Sequence, residues 1–214
     1  LGAVAPLSAI ETTLCMGASV RSIHGFNTAL GAEGERKAVA VIGDSTFMHS
    51  GMTGLANIAY NQSNSTVVIV DNSITGITGH QQNPTTGLDI HGDPAGKIDL
   101  EALCKALGFN RVRVVDPNNL EECDIAVKEE LAAEEPSVII SRRPCALLKS
   151  VKHPGPIKVD RDKCVGCKMC MKIGCPAISM KDGKATIDRT LCVGCDVCTQ
   201  LCKVGALCPN NKEV

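Results

Sequence analysis

The chain has 214 residues with a formal charge of −1, and 44% of its residues are hydrophobic, so it can bury a sizeable core. No segment is apolar enough to predict a membrane-spanning helix, and no membrane partner is expected. Residues 1–150 carry 11 Lys and Arg against 17 Asp and Glu, whereas residues 151–214 carry 11 against 6, giving charges of −6 and +5. The basic part contains no aromatic residue on which a base could stack, so no nucleic-acid partner is expected either.

The distribution of cysteines divides the chain at the same place. Of the 13 cysteines, eight fall in two near-copies of one motif in the last quarter of the sequence. This change predicts two domains, residues 1–150 and residues 151–214. The segment near 146–160, which contains prolines and a glycine, is the expected linker. Because the sequence begins at Leu1 and runs directly into apolar residues, we expect it to be the C-terminal part of a longer polypeptide.

Short runs of β-branched residues alternate with helical patterns in the first 150 residues. In chain order they predict a strand at 38–42, a helix at 52–62, a strand at 66–70, a helix at 99–107, a strand at 111–115, a helix at 119–134 and a strand at 137–140. Asp99 is expected to cap the second helix and Gly108 to end it. The strands show little polar alternation, which predicts parallel strands buried on both faces of an α/β sandwich.

Polar side chains follow the first two predicted strands. Gly43, Asp44 and Ser45 come after the first strand, Asn72 follows the second, and 27 residues separate Asp44 from Asn72. Ligands of open α/β sheets bind at the carboxyl ends of strands, and carboxylate and amide oxygens are hard ligands that suit Mg²⁺ and a diphosphate. Each residue alone is more simply a turn residue, but the pair predicts a magnesium-diphosphate site.

Two cysteine runs, CVGCKMCMKIGCP and CVGCDVCTQLC, have the spacing of a protein with two 4Fe-4S clusters. In the bacterial arrangement, three cysteines of each run hold one cluster and the last cysteine of the run holds the other. We therefore predict a first ligand set of Cys164, Cys167, Cys170 and Cys202, and a second ligand set of Cys192, Cys195, Cys198 and Cys175. The first run has four residues rather than three before its last cysteine, and Gly174 is expected to absorb the extra residue.

Two other uses of these cysteines were weighed. Zinc ribbons also contain C-x2-C pairs, but a third cysteine at the same spacing in both runs favours a cubane cluster. A disulfide framework is disfavoured, since no signal peptide precedes the motifs and a cytoplasmic location is expected. The positive charge of residues 151–214 is then interpreted as compensation for two anionic clusters.

The longer strings extend these patterns to a known family. SAIETTLCMGASV, VIGDSTFMHSGMTGLANIAYN, DNSITGITGHQQNPTTG and VIISRRPCAL resemble the C-terminal portion of the α subunits of indolepyruvate:ferredoxin oxidoreductases. The resemblance covers essentially the whole chain. It implies a thiamine diphosphate-binding α/β domain followed by a small α+β ferredoxin domain of the bacterial two-cluster type.

The resemblance also implies roles for individual residues. Asp44 and Asn72 would be side-chain ligands of Mg²⁺, and the carbonyl of Ile74 would be a third ligand. Gly43 and Ser45 would lie against the diphosphate, and Gly17 against the cofactor. Thr78, His80 and Gln81 would line the substrate side together with His49. No catalytic acid or base is assigned within the chain, because the activating glutamate of the family lies in a separate pyrimidine-binding domain.

The activity implied is oxidative decarboxylation of aryl 2-oxoacids such as indolepyruvate to acyl-coenzyme A, with electrons passing through the clusters to soluble ferredoxin. The implied cofactors are thiamine diphosphate, Mg²⁺ and two 4Fe-4S clusters, with coenzyme A as co-substrate. The implied partners are the pyrimidine-binding domain and the β subunit. Two alternatives stay open: a related enzyme acting on a branched-chain or aryl-glyoxylate 2-oxoacid, and a non-catalytic electron-transfer module.

Overall fold

The chain divides into two compact units in the computed structural model, which describes residues 2–34 and 38–209. One unit comprises residues 14–145, and the other joins residues 146–209 to the N-terminal residues 2–13. The predicted division at residue 150 placed 2–13 and 146–150 in the first domain, so the structure differs there. A reason is visible at Gly174, where a Cβ atom would lie 3.6 Å from side-chain atoms of both Pro6 and Leu7.

The sheet of the first unit contains the four predicted strands. They are β1 (Val39–Gly43), β2 (Thr66–Asp71), β3 (Arg111–Val115) and β4 (Ser137–Arg142). All neighbouring strands are parallel, and their spatial order is β1-β2-β4-β3. The predicted parallel α/β arrangement is therefore confirmed for this unit.

The helices of this unit include the three that the sequence predicts and one that it did not. They are α1 (Ala18–Leu30), α2 (Met52–Tyr60), α3 (Leu100–Ala106) and α4 (Leu120–Ala132). A short helix, Asp44–Thr46, and a π-helix, Phe47–Gly51, lead from β1 into α2, and a 3-10 turn, Gly31–Glu33, follows α1. The carboxylate of Asp99 accepts hydrogen bonds from the amides of Glu101 and Ala102, as expected of the cap of α3.

The two faces of the sheet are covered unequally. One face packs against α1, α2 and α3 through a core that includes Val67, Leu55 and Leu100. The other face packs against α4 through a smaller cluster around Ile139. Full burial of the first strand was predicted wrongly, because β1 is an edge strand beyond the reach of α4. Its Val39 and Val41 are 41% and 50% exposed.

The second unit is built from short antiparallel strands and loops. Its elements are β5 (Lys158–Val159), a 3-10 helix (Met169–Ile173), β6 (Ile178–Lys181), β7 (Lys184–Ile187), α5 (Val197–Leu201) and β8 (Leu207–Cys208). Strand β5 pairs with β8, and β6 pairs with β7. In its core, Cys164, Cys170 and Cys198 are buried among apolar residues such as Ile157 and Leu207.

The second unit is an internal repeat with an offset of 28 residues, so that Cys164 corresponds to Cys192. The repeats cross: a Cβ at Gly166 would lie 2.3 Å from the carbonyl oxygen of Gly183, and one at Gly194 would lie 2.2 Å from that of Gly155. Each cysteine loop therefore packs on the segment that leads into the other loop. Among the described residues of the whole chain, no helix is long and apolar enough to cross a membrane.

Candidate functional sites

Asp44 lies at the carboxyl edge of the sheet, immediately after β1. The register pairs Gly43 with Val70 of β2, which brings Asp44 beside the loop that begins at Asp71. Asp44 is only 3% exposed, and its Oδ2 atom accepts hydrogen bonds from Asn83 Nδ2 and Thr85 Oγ1, both at 3.3 Å. The predicted site residue is therefore a buried carboxylate held by side chains of a distant loop.

The charge of Asp44 is only partly compensated. Burial raises the pKa of its carboxyl group above the usual value, and the charge of Asp71 acts in the same direction. Hydrogen bonds from the amide of Ser45 and from Asn83 lower that pKa in part. Asp71 has its own compensation, since its Oδ2 lies 2.8 Å from Nε of Arg142. A cation at Asp44 would relieve the remaining cost of burying its negative charge.

The loop after β2 brings the other predicted ligands to the same edge. Oδ1 of Asn72 accepts a hydrogen bond from the amide of Ile74 at 3.2 Å, and Ile74 is 2% exposed. Thr75 Oγ1 donates to Ser45 Oγ at 2.9 Å, which ties this loop to the turn after β1. Asp44, Ser45, Asn72 and Ile74 therefore form one group, as their positions in the sequence predicted.

Two predicted glycines stand in different surroundings. At Gly43 a Cβ atom would meet nothing within 4 Å, so the backbone beside Asp44 borders open space. Gly17 precedes α1 with a φ of 87°, and a Cβ there would lie 1.9 Å from Ser50 Oγ. Only glycine fits at position 17, because both the backbone conformation and the close approach exclude a side chain.

The residues predicted on the substrate side are exposed and only loosely joined to this group. Thr78 and Gln81 bond to each other at 2.6 Å, closing a local turn. The amide of His80 donates to the carbonyl oxygen of Thr75, and its φ is 66°. His49 is exposed on the π-helix, and in the described residues no hydrogen bond joins it to Asp44 or Asn72.

In the second unit, the four cysteines of the first ligand set line one cavity, together with Lys168, Met180 and Leu207. Three of them come from the first run, and Cys202 comes from the second. The crossing of the repeats thus brings together the four thiols that the spacing predicted. Sγ of Cys164 accepts a hydrogen bond from the amide of Ala185 at 3.4 Å, and Sγ of Cys202 accepts one from Ala206 at 3.3 Å.

The second ligand set is also assembled. Burial raises the pKa of Cys198 to about 12, and the charges of Cys195, Cys192 and Cys175 raise it further, which shows that the set is close together. Burial likewise raises the pKa of Cys170, with contributions from the other members of the first set. Sγ of Cys192 accepts a hydrogen bond from the amide of Ile157 at 3.4 Å. Buried thiols crowded in this way resist ionisation unless a metal centre takes the charge.

Gly174 ends the 3-10 helix between Cys170 and Cys175 with a φ of 63°. The longer first run therefore closes on a left-handed glycine, as the sequence predicted. Among the described residues, no group of three or more His, Cys, Asp or Glu side chains is arranged around a single metal ion. The two ligand sets and the magnesium ligands accordingly stay predictions.

Comparison with known proteins identifies the family. Residues 4–141 match the model described as "Thiamine pyrophosphate enzyme, C-terminal TPP binding domain". The chain belongs to this family. It is 42% identical over 96% of its length to "Indolepyruvate oxidoreductase subunit IorA" of Pyrococcus horikoshii, and 37% identical over 99% of its length to the same subunit of Methanothermobacter marburgensis. The resemblance drawn from the sequence is confirmed by these relatives.

The thiamine pyrophosphate enzyme fold also occurs in a solved structure of a 2-oxoglutarate:ferredoxin oxidoreductase from Magnetococcus marinus, which covers 64% of this chain and 48% of that chain with a TM-score of 0.55. At 19% identity, this likeness concerns the fold alone. The chain spans about a third of the length of the curated relatives, 35% and 34% of the two subunits named above. The activity of a whole enzyme is therefore a matter for proposal.

Sequence reasoning missed three residues at this thiamine pyrophosphate enzyme site. Asn83 and Thr85 bind Asp44 from positions 39 and 41 residues away, and only the polar run NPTTG hints at them. Cys145, interpreted as an incidental thiol, donates its amide to the carbonyl oxygen of Asn72, and its Sγ lies 4.0 Å from Nε2 of His80. No local motif predicts this last contact, because β4 brings the chain back to the same edge of the sheet.

Proposed function

We propose that the 14–145 unit binds thiamine diphosphate through Mg²⁺ held by Asp44, Asn72 and the carbonyl of Ile74. The donors fit, since all three offer oxygen atoms and Asp44 is a buried carboxylate that lacks full compensation. The open space beside Gly43 leaves room for a diphosphate against the backbone. That these donors meet at the carboxyl edge of a parallel sheet, in a chain of this family, is the observation that carries the proposal.

We propose that the second unit holds two 4Fe-4S clusters on the first and second ligand sets. The cavity lined by all four cysteines of the first set supports this, and so do the amides directed at Cys164, Cys192 and Cys202. Amide hydrogen bonds to cysteine sulfurs stabilise the negative charge of a cluster and help to set its potential. Two clusters would give this unit the character of a bacterial two-cluster ferredoxin.

Joined in one enzyme, the two sites suit a 2-oxoacid:ferredoxin oxidoreductase acting on aryl pyruvates such as indolepyruvate. The names of the relatives support this substrate. Thiamine diphosphate supplies an electron sink for loss of CO2 from a 2-oxoacid. Coenzyme A would take the acyl group, and the clusters would pass single electrons to soluble ferredoxin.

The residues of this chain would bind and orient rather than transfer protons. Asp44, Asn72 and Ile74 would fix the diphosphate end, with Asn83 and Thr85 keeping the carboxylate of Asp44 in position. Gly43 and Ser45 would face the diphosphate, and Gly17 would lie against the cofactor. His80 and Gln81 would border the substrate side. The activating glutamate would come from a pyrimidine-binding domain in the remaining part of the subunit, and the β subunit would complete the enzyme.

The test is an anaerobic assay of the complete complex with a panel of 2-oxoacids. We expect ferredoxin reduction with indolepyruvate only when both thiamine diphosphate and coenzyme A are present. Asp44→Ala should abolish turnover, while Asp116→Ala, which changes an exposed aspartate directly after β3, should retain it. Reduction of ferredoxin without thiamine diphosphate would refute the proposal, and faster turnover of a branched-chain or aryl-glyoxylate substrate would replace the substrate class.

A further inference from the structure

We infer that the two clusters differ in potential, and that electrons pass from the cluster of the second ligand set to the cluster of the first. The inference rests on the proposed presence of both clusters. It comes from a comparison that the internal repeat makes possible, since each position around one set has a counterpart 28 residues away around the other.

The backbone around the two sets is closely matched. The amide of Ala185 lies 3.4 Å from Sγ of Cys164, and the corresponding amide of Ile157 lies 3.4 Å from Sγ of Cys192. Asp160 and Asp188 accept equivalent hydrogen bonds from the amides of the cysteines four residues later, at 3.1 and 3.0 Å. Backbone donors therefore give no reason for the two potentials to differ.

Side-chain charge, in contrast, differs at the position directly after the second cysteine of each run. The first run has Lys168 there, and the second has Asp196. The two backbones have the same left-handed conformation, with φ values of 60° and 68°, so the loops present these residues alike. Lys168 lines the cavity of the first set. A cation thus borders one set where an anion stands beside the other.

Two further positions differ in the same direction. Nζ of Lys184 donates a hydrogen bond to the carbonyl oxygen of Cys164 at 2.5 Å, and the counterpart of Lys184 in the repeat is Pro156. Lys203 follows the fourth cysteine of the first set, whereas Pro176 follows that of the second. Three cations therefore accompany the first set where the second has one aspartate and two prolines.

Other charge differences are weaker or cancel. Nζ of Lys163 lies 3.1 Å from Asp160 and is neutralised by it. Asp162 corresponds to Thr190, and Lys158 to Thr186, which oppose the trend. Both of these charged side chains are exposed and lie outside the set of residues that line the cavity, so solvent screens them.

The direction follows from electrostatics. Reduction adds one negative charge to a cluster, which nearby cations stabilise and a nearby carboxylate opposes. The first-set cluster would thus have the higher potential. One electron leaves the reduced second-set cluster and reduces the first-set cluster, and no bond or proton moves. The electron enters from the oxidised 2-oxoacid and leaves to a soluble one-electron acceptor protein.

The experiment is a redox titration, followed by electron paramagnetic resonance, of the anaerobically purified complex containing the full-length subunit. Two reduction steps are expected. Lys168→Gln should lower the higher step, and Asp196→Asn should raise the lower step. Each should change the equilibrium constant for transfer between the clusters by about tenfold, which is 59 mV for a one-electron couple. Lys152→Gln, an exposed lysine before the repeat, should change neither step.

Three results separate the possible failures. Equal potentials in the unaltered protein, or a shift of only the lower step in Lys168→Gln, would overturn the inference while leaving the clusters in place. Absence of iron from the unaltered protein would reject the proposed function as well. Lys168→Arg keeps the charge and should retain both potentials. If Lys168→Gln loses iron, Lys184→Met must lower the higher step, and failure to do so overturns the inference.

Discussion

The two units form their sites in different ways. In the 14–145 unit, Asp44 and Asn72 lie beyond the ends of strands whose core is made of residues such as Val67, Ile69 and Leu55. In the second unit, cysteines are themselves part of the core. The first site is thus positioned by a core that needs no ligand, whereas the second unit gains much of its interior from whatever the cysteines bind. Cofactor and fold should be separable in one unit and coupled in the other.

Removal of iron should give the largest effect and test this contrast directly. Treating the anaerobic complex with an iron chelator should expose residues 146–209 to hydrogen exchange, because thiols would be left in the core without the clusters that hold them together. Residues 39–71 should keep their protection, since β1 and β2 are held by an apolar core. Unchanged exchange in 146–209 would show that the second unit also folds independently of its ligand.

Substitution of single cysteines tests how the repeats share their ligands. Cys202→Ala should lower the iron content from about eight to about four per chain, because one of two cubanes loses a ligand. Cys208→Ala, on the neighbouring strand β8, should lose none. Iron analysis of anaerobically purified protein makes both measurements.

Double variants test the pairing itself. Cys164→Ala combined with Cys202→Ala should retain about four irons, since both residues belong to the first set. Cys192→Ala combined with Cys202→Ala should retain almost none. The opposite pattern would mean that each run supplies all four ligands of its own cluster.

Substitution of the buried carboxylate tests the ligand-independent site. Asp44→Ala should weaken Mg²⁺-dependent binding of thiamine diphosphate by at least about 100-fold, and iron content should stay the same because the sites lie in separate units. Asp116→Ala is a matched control, as Asp116 also directly follows a strand of this sheet but pairs with Arg143 at the surface. Calorimetry of the full-length complex measures the affinity, and unaltered binding by Asp44→Ala would remove the metal assignment.

The smallest expected effect concerns pH. Because burial raises the pKa of Asp44, Mg²⁺ must compete with a proton that is bound more tightly than at an ordinary aspartate. Affinity should therefore fall on acidification through a pH above 3.8, the ordinary value for the group. Asn83→Ala removes a donor that lowers this pKa, so its loss of affinity should begin at a higher pH, with about tenfold weaker binding near neutrality.

The matched control for this last variant is Asn61→Ala, whose amide bonds only within its own turn at Asn57. It should follow the pH dependence of the unaltered protein. Identical curves for Asn83→Ala and Asn61→Ala would show that Asn83 has no influence on the carboxylate.

Hydrophobic patterning located the four strands and three helices of the first unit to within two residues, because their apolar runs agree with the burial that the fold imposes. Helix α1 was missed for a local reason. It contains Gly25, Asn27 and Thr28, which favour helices weakly, and it has no side-chain cap. Its stability comes from packing of Val20 and Ile23 on the sheet, which a local pattern does not reveal.

The sites show the same limit. Spacing predicted which four cysteines would meet, since short loops constrain where a thiol can reach. Asn83 and Thr85 were missed because their partner lies some forty residues away, and only the folded chain brings them to Asp44. The exposure of Val41 was missed because position at a sheet edge is a property of topology, and the strand order is not written in any one strand.

The glycine contacts between the repeats restrict how this region can change in length. Any side chain at position 166 would strike the carbonyl of Gly183, and any at 194 would strike that of Gly155, so a shift of either loop by one residue would bring a Cβ into the other repeat. Insertions and deletions are therefore excluded between the first cysteine of each run and these contacts. Beyond the third cysteine the restriction ends, and there the first run carries its one additional residue, closed by Gly174. Homologous chains should vary in length at that point and in the connection between the runs, while C-V-G-C itself stays fixed.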